Sequence, residues 1–346
     1  MLLIFADDLT GALDAAAPFA GRGLVTEIAM DLDGVQAALA EAPDVLSVNL
    51  GCRDGTAEEA QHRTKTLLAL LPGDVVLFKK IDSRLKGHIA AELDAISFGR
   101  ALVVPAIPDF GRVVANGSLQ GFGVDEPISI SATLGRHAGR STVPDVASQE
   151  DLRVALVKAQ ENGVDLLIGA RGLAEALAQQ MTGRTATEPA EVPEGKGLFV
   201  IGSRDPITLS QIDHLVAAAL VRTLAAPNGV VPQDEADTSG PVLVQATQGS
   251  QSCSHQDVSD HLAAGVVPML TASARTLLLS GGATAEAVLR AMGISRLRLA
   301  GECLPGLGVG VSGDHCIIAK SGGFGQAGTL TQIAKMMLGR HDAGES

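Results

Sequence analysis

Short, strongly apolar runs recur along this chain, and between them lie stretches where apolar residues return every third or fourth position. That alternation is the pattern of a mostly parallel sheet covered by helices. In the first half, residues 2–5, 45–49, 75–79, 101–105 and 165–169 read as strands, with helices over 57–71 and 151–161. In the second half, 198–201, 242–245, 276–279, 297–300 and 316–319 read as strands, and 208–220, 285–292 and 329–338 as helices. The pattern breaks over 182–197 (TGRTATEPAEVPEGKG), where prolines, glycines and charges replace apolar residues. We therefore expect an α/β chain of two domains, 1–190 and 197–346, each a mostly parallel sheet covered by helices. A second loose stretch, 225–240, reads as a long surface loop.

At 346 residues the chain suits two cores better than one. The apolar fraction, 46%, is ample for both, yet no run approaches the roughly 18 uncharged residues of a membrane span. The start, MLLIFADDLTG, lacks the basic opening and long apolar stretch of a signal peptide and reads as a buried strand. A net charge of −13 argues against a nucleic-acid partner. With no Trp and no Tyr, the stacking platforms for single strands are missing too, so an adenine would lie among aliphatic groups or glycines. The cysteines, Cys52, Cys253, Cys303 and Cys316, form no CxxC pair and read as small buried hydrophobes of a reducing cytoplasm.

In open α/β sheets ligands gather beyond the carboxyl ends of strands. Three blocks in the first half stand there. After the opening strand come Asp7, Asp8 and Thr10. They resemble the Asp-x-Asp-x-Thr of haloacid-dehalogenase phosphatases, but position 6 is Ala, so the nucleophile is absent. The plainer alternative is that Asp7 or Asp8 caps the next helix. The run Lys79-Lys80-Ile81-Asp82-Ser83-Arg84-Leu85-Lys86 is a dense basic turn that could clamp a carboxylate, with Arg84 as the bidentate candidate. A proline-rich loop carries Arg112.

The second half holds the glycine turns: Gly202-Ser203, Ser280-Gly281-Gly282-Ala283-Thr284 and Lys320-Ser321-Gly322-Gly323. A strand–glycine–helix order lets backbone N–H groups receive a phosphate. None is a Walker A sequence. The run Gly306-x-Gly308-x-Gly310 precedes a strand instead of opening a helix, which excludes a dinucleotide fingerprint.

Taken in order, ADDLTGALD (6–14), KKIDSRLKGHIAAEL (79–93), VVPAIPDFGR (103–112), GSRDPITLSQIDHL (202–215), SGGATAEAVL (280–289), LPGLGVGV (304–311) and KSGGFG (320–325) resemble the four-carbon acid sugar kinase family. The resemblance implies a sugar-acid domain followed by an ATP domain, with the active site in the cleft between them and Mg2+ arriving with ATP. It puts Asp7, Asp8, Lys80, Asp82, Ser83, Arg84 and Arg112 on the acid side. Ser203, Gly281, Gly282, Ala283, Thr284 and Gly322 fall on the nucleotide side. Between the two candidate bases, Asp8 has only Asp7 as a charged neighbour in sequence and is preferred as proton acceptor, leaving Asp82 to organise the basic turn. The chain departs from the family where Ala283 replaces the usual acidic residue of the glycine loop and Ser118 a frequent histidine. A degenerate, non-catalytic relative is therefore the alternative. The implied setting is cytoplasmic, and the oligomeric state, a homodimer included, is open.

Overall fold

The fold is seen in a computed structural model that describes residues 1–73, 75–232 and 240–340. The chain divides into two compact units, Met1–Glu188 and Pro189–Ser346.

The first unit runs β1 (Leu2–Ala6), α1 (Leu9–Ala20), β2 (Thr26–Ala29), α2 (Val35–Leu39), β3 (Val45–Asn49), α3 (Ala57–Leu70), β4 (Val76–Lys80), α4 (Ile89–Leu93) and β5 (Ala101–Val104). It continues with β6 (Arg112–Ala115), β7 (Ser118–Gly121), β8 (Ile128–Ser129), α5 (Ile130–Leu134), β9 (Ser141–Thr142), α6 (Gln149–Glu161), β10 (Leu166–Gly169) and α7 (Arg171–Thr182). Its main sheet has the order β2-β3-β1-β4-β10-β5-β9, parallel throughout. Every residue of β1 is buried, as a strand covered on both faces requires. From β1 the chain crosses to the outer β2, comes back to β3 between them, and then passes to β4 on the other side of β1. The β1/β4 boundary is thus a topological switch point, where the loops leave a crevice. β6, β7 and β8 form a separate antiparallel sheet that the apolar pattern does not announce, its strands being short and only half-buried.

The second unit runs β11 (Gly197–Ile201), α8 (Pro206–Ala217), β12 (Arg222–Pro227), β13 (Val242–Thr247), α9 (His255–Val266), β14 (Thr276–Ser280), α10 (Gly282–Ala291), β15 (Arg296–Leu304), β16 (Leu307–Ser312), β17 (His315–Lys320) and α11 (Thr329–Met337). Its strands are ordered β12-β13-β11-β14-β17-β16-β15, parallel as far as β17 and antiparallel beyond it. Phe199, Ile201, Leu278 and Ile318 of the sheet pack with Leu215 of α8 and Ile333 of α11 in the core. Here β11 and β14 flank the switch point.

The sequence expectations agree with these elements to within a few residues, and capping accounts for some of the differences. α6 begins at Gln149 because Ser148 and Asp151 form a capping box ahead of it. α8 begins at Pro206 because Asp205 caps it and proline suits the first helical position. The expected loop 225–240 needs correction: residues up to Pro227 belong to β12, although 233–239 lie outside the described residues. Gly308 and Gly310 lie inside β16, and Gly306 turns between β15 and β16.

Candidate functional site

In the first unit, the carboxyl ends of β1, β3 and β4 bring together a cluster of acidic and basic side chains. Arg53, on the loop after β3, is its centre. Its Nε and one terminal nitrogen donate to Asp7 at 2.9 and 2.7 Å, and the other terminal nitrogen donates to Asp8. Asp82 Oδ2 lies 3.8 Å from the same guanidinium. Asp7 is 2% exposed. Burial pushes its carboxyl up, but the Arg53 hydrogen bonds and the charges of Lys79, Arg53 and Lys80 outweigh this and hold it below the usual carboxylate range. Nothing larger than glycine fits beside it. Gly87 has φ +90°, and a Cβ there would stand 2.5 Å from Asp7 Oδ2.

Asp8 caps α1: its Oδ1 accepts from Gly11 N–H at 2.8 Å and its Oδ2 from the Thr10 hydroxyl at 2.9 Å. The ground for preferring it as base, that Asp7 is its only charged neighbour, fails because Arg53 reaches it across 45 residues of chain. Asp82 holds its own turn, with Oδ1 accepting from Arg84 N–H at 2.9 Å and Lys86 N–H at 3.3 Å. Its Oδ2 accepts no hydrogen bond among the described residues. Leu85, at φ +59°, takes a left-handed conformation that a leucine adopts only under constraint.

The dense basic turn of the sequence is taken apart by strand alternation. Lys79 is fully buried, ion-paired with the equally buried Glu92, and its ammonium stands 5.3 Å from the Phe5 ring centre. Burial pushes the Glu92 carboxyl up, against the pull of Lys79. Lys80 points the other way, donates to Ile81 C=O at 2.9 Å, and sits against the start of α1. Arg84 is exposed, and its side chain makes no hydrogen bond or ion pair among the described residues. Arg112 is committed: it donates to Ser83 Oγ at 2.6 Å and twice to Phe122 C=O, at 3.1 and 3.0 Å. It therefore braces Ser83 more directly than it presents a free cation. Sequence reasoning missed Arg53. It stands in Gly51-Cys52-Arg53-Asp54-Gly55, a strand-to-helix turn that the same carboxyl-edge rule could have singled out.

In the second unit, a cavity of about 550 Å³ opens at the carboxyl ends of β11, β13 and β14. It is lined by the expected Ser203, Gly281, Gly282, Ala283 and Thr284, together with Asn228 and the loop 247–253, which carried no signal in the sequence. No Phe lines it. The apolar part is Ala246, Val258 and Ala283, while most of the wall is Gly, Ser, Thr and Gln, more polar than the aliphatic pocket expected. α10 enters with no side-chain cap, its N-terminal N–H groups free to receive an anion. Close packing explains the glycines: a Cβ on Gly202 would stand 2.0 Å from Thr284 Oγ1, and one on Gly322 2.3 Å from Ser203 Oγ. Gly322 itself neighbours Ser203 without lining the cavity. Asn228, in the left-handed region at φ +50°, pins the new loop: its side chain accepts from Gly249 N–H at 3.0 Å and donates to Gln251 C=O at 2.9 Å.

Cys52, Cys303 and Cys316 are buried as expected, and burial pushes the Cys52 and Cys303 thiols up to about 12. Cys253 is half-buried and stands in the cavity wall. Among the described residues no group of three His, Cys, Asp or Glu side chains is arranged to hold a metal, and no helix is long and apolar enough to cross a membrane. A Mg2+ carried by nucleotide phosphates needs only one or two carboxylates. Asp205, beside Ser203 and Gly323, fits that need: Oδ1 caps α8 and Oδ2 accepts no hydrogen bond among the described residues.

Residues 2–133 match the family model described as a sugar-binding N-terminal domain, and residues 198–330 that of a nucleotide-binding C-terminal domain. The chain is 28% identical to a D-threonate kinase of Cupriavidus necator, with 95% of this chain and 96% of the relative covered. It is also 28% identical to a 3-oxo-tetronate kinase of Methylobacterium radiotolerans, with 96% and 98% covered. The first alignment spans 403 positions, more than the 346 of this chain, so the relative carries insertions absent here. Solved structures from Salmonella typhimurium and Haemophilus influenzae share the fold, with TM-scores of 0.75 and 0.71 at 18% and 19% identity. They cover 96% and 97% of this chain and 98% and 100% of their own. With both domain models matched in order and named kinases aligned along nearly its whole length, the chain belongs to the four-carbon acid sugar kinase family.

Proposed function

We propose that this protein is an ATP-dependent kinase that phosphorylates a hydroxyl of a four-carbon sugar acid of the threonate, erythronate or 3-oxo-tetronate class. The observation that carries the reading is the first-unit cluster: one guanidinium gripping two carboxylates, with a third carboxylate oxygen and a free arginine beside it. Arg84 takes the acceptor's carboxylate. Arg53 fixes Asp7 and Asp8, Lys80 adds positive charge behind them, and Arg112 steadies Ser83. Asp82 Oδ2 is the proton acceptor, because both oxygens of Asp8 are already engaged. In the reaction the acceptor oxygen bonds to the γ-phosphorus, its proton passes to Asp82, and the bond to the leaving ADP oxygen breaks. Phosphoryl transfer needs positioning and charge stabilisation more than covalent chemistry.

ATP occupies the second unit, its phosphates on Ser203, the Gly281–Thr284 turn and Gly322, with Asp205 available to an accompanying Mg2+. Ala283 leaves the backbone donors of that turn in place. A coupled ADP-release assay against C4 to C6 sugar acids is the test. Acid-dependent ADP release with a four-carbon acid is expected; a folded protein that releases no ADP with any of them would sink the proposal.

A further inference from the structure

The end of β17 buries a cation where no carboxylate meets it. The Lys320 side chain is fully buried and forms no ion pair among the described residues. Its ammonium donates to three oxygens instead: Thr208 Oγ1 at 2.9 Å, Ser321 C=O at 3.0 Å and Gly322 C=O at 3.2 Å. The Thr208 hydroxyl in turn donates to Gly322 C=O at 2.6 Å. Burial pushes the Lys320 ammonium down to about 8, only partly countered by Asp205, the one charged group acting on it among the described residues. Ser280, its register partner on β14, buries a hydroxyl oxygen that has no hydrogen-bond partner among the described residues. A buried, unbalanced charge is expensive to keep and calls for an explanation.

The geometry of the following peptides supplies one. In a trans peptide, C=O and N–H point in opposite directions. With Ser321 C=O and Gly322 C=O drawn inward by Lys320, the N–H groups of Gly322 and Gly323 are turned away from it; Ser203 and Asp205 are close neighbours of these glycines. Neither N–H has a hydrogen-bond partner among the described residues. Two successive outward donors form an anion-receiving nest.

We infer that Lys320 is a positioning residue for the phosphates of the nucleotide: it locks the 321–323 turn with its donors outward and places a positive charge beneath them. This rests on the reading that the second unit binds ATP. An arriving polyphosphate supplies the missing negative charge, so binding favours the charged lysine.

Calorimetric titration of the intact protein with ATP, from pH 7 to 9.5, tests it on wild type, Lys320→Met and Thr208→Val. Wild-type affinity should fall as the pH passes about 8, because a deprotonated Lys320 offers neither charge nor a full set of donors. Lys320→Met should bind ATP at least tenfold more weakly at pH 7 and lose that pH dependence, while the KM for the sugar acid changes less than twofold. Thr208→Val, which keeps the charge but removes one brace, should give a smaller loss and retain the pH dependence. If folded Lys320→Met, or Thr208→Val where the former does not fold, matches wild type in affinity and pH profile, the inference is wrong and the ATP site stands. If wild type binds no ATP at any pH, both fall.

Discussion

The two units meet the same topological situation, a switch point in a parallel sheet, with opposite chemistry. In the first unit the crevice is filled by side-chain charges already paired with one another: Arg53 with Asp7 and Asp8, Lys79 with Glu92. In the second, the cavity wall holds no carboxylate and Arg204 is its one arginine or lysine, and the groups on offer are backbone N–H donors at the start of α10 and after β17. On the proposed function, the difference follows from what each would hold. A small acceptor has to be gripped at a carboxylate and deprotonated at one hydroxyl, tasks for side chains of defined charge. A polyphosphate spreads its charge over many oxygens, and an array of peptide dipoles receives it without the desolvation penalty of several buried cations.

The largest effect should come from the acid site. Asp82→Asn is expected to lower kcat by roughly 10²–10⁴ with substrate affinity kept, the scale of lost general-base catalysis. Steady-state kinetics on Asp8→Asn provide the contrast, since asparagine still caps α1 and the loss there should be smaller. A dead Asp8→Asn beside an active Asp82→Asn would return the base to Asp8.

Next in size is Arg53→Ala, which strands the buried Asp7 carboxylate. Breaking such a pair costs about 3 kcal/mol of stability, measurable by denaturant unfolding. The sign of the pH effect is fixed by Asp7: its native carboxyl is held below the usual value, so its contribution is present at neutral pH and lost as the pH falls through the lowered value. In Arg53→Ala, where the opposing pull of Arg53 on the buried carboxyl is gone, that acid-labile contribution should shrink, so the deficit against wild type is largest at neutral pH and narrows as the pH falls.

Arg84→Ala should weaken sugar-acid binding by about 2–3 kcal/mol, as expected for a charge-assisted hydrogen bond and the carboxylate left unpaired. Binding of ATP, measured alongside, should hardly change. Smallest is Ala283→Asp. A carboxylate at a helix N-terminus is favourable by about 0.3–1 kcal/mol, yet it stands close to where phosphates bind, so turnover should shift by less than about tenfold. A gain of several hundredfold would mean that the chain as it stands is a degenerate binder.

The contrast also governs what could be read from sequence. That 202–203 and 281–284 would be turns sharing one edge was legible because such turns are written in contiguous residues. The loop 247–253 was not, since its place in the wall comes from Asn228, some twenty residues earlier, holding Gly249 and Gln251. The charged run after β4 was visible but misleading. Alternation at the end of β4 buries Lys79 against Glu92 and sends Lys80 the other way, while Arg84 lies exposed on the turn beyond the strand, a separation that spacing alone does not reveal. Arg53 was invisible as a partner of Asp7 because only the sheet order, β3 beside β1, brings them together. The sheets themselves were readable from buried strands such as β1 and β11, whereas short half-buried β6 and β7 left no apolar run to find.

The central claim is that side chains of the first unit hold the acid and backbone of the second holds the nucleotide. It is tested most directly by titrating both ligands into Arg84→Ala and Gly281→Val, the latter forcing a β-branched residue to φ +103°. The account predicts a crossed result: Arg84→Ala loses the sugar acid and keeps ATP, while Gly281→Val loses ATP and keeps the acid. Folded variants that lose both ligands alike, or each the other's, would contradict it.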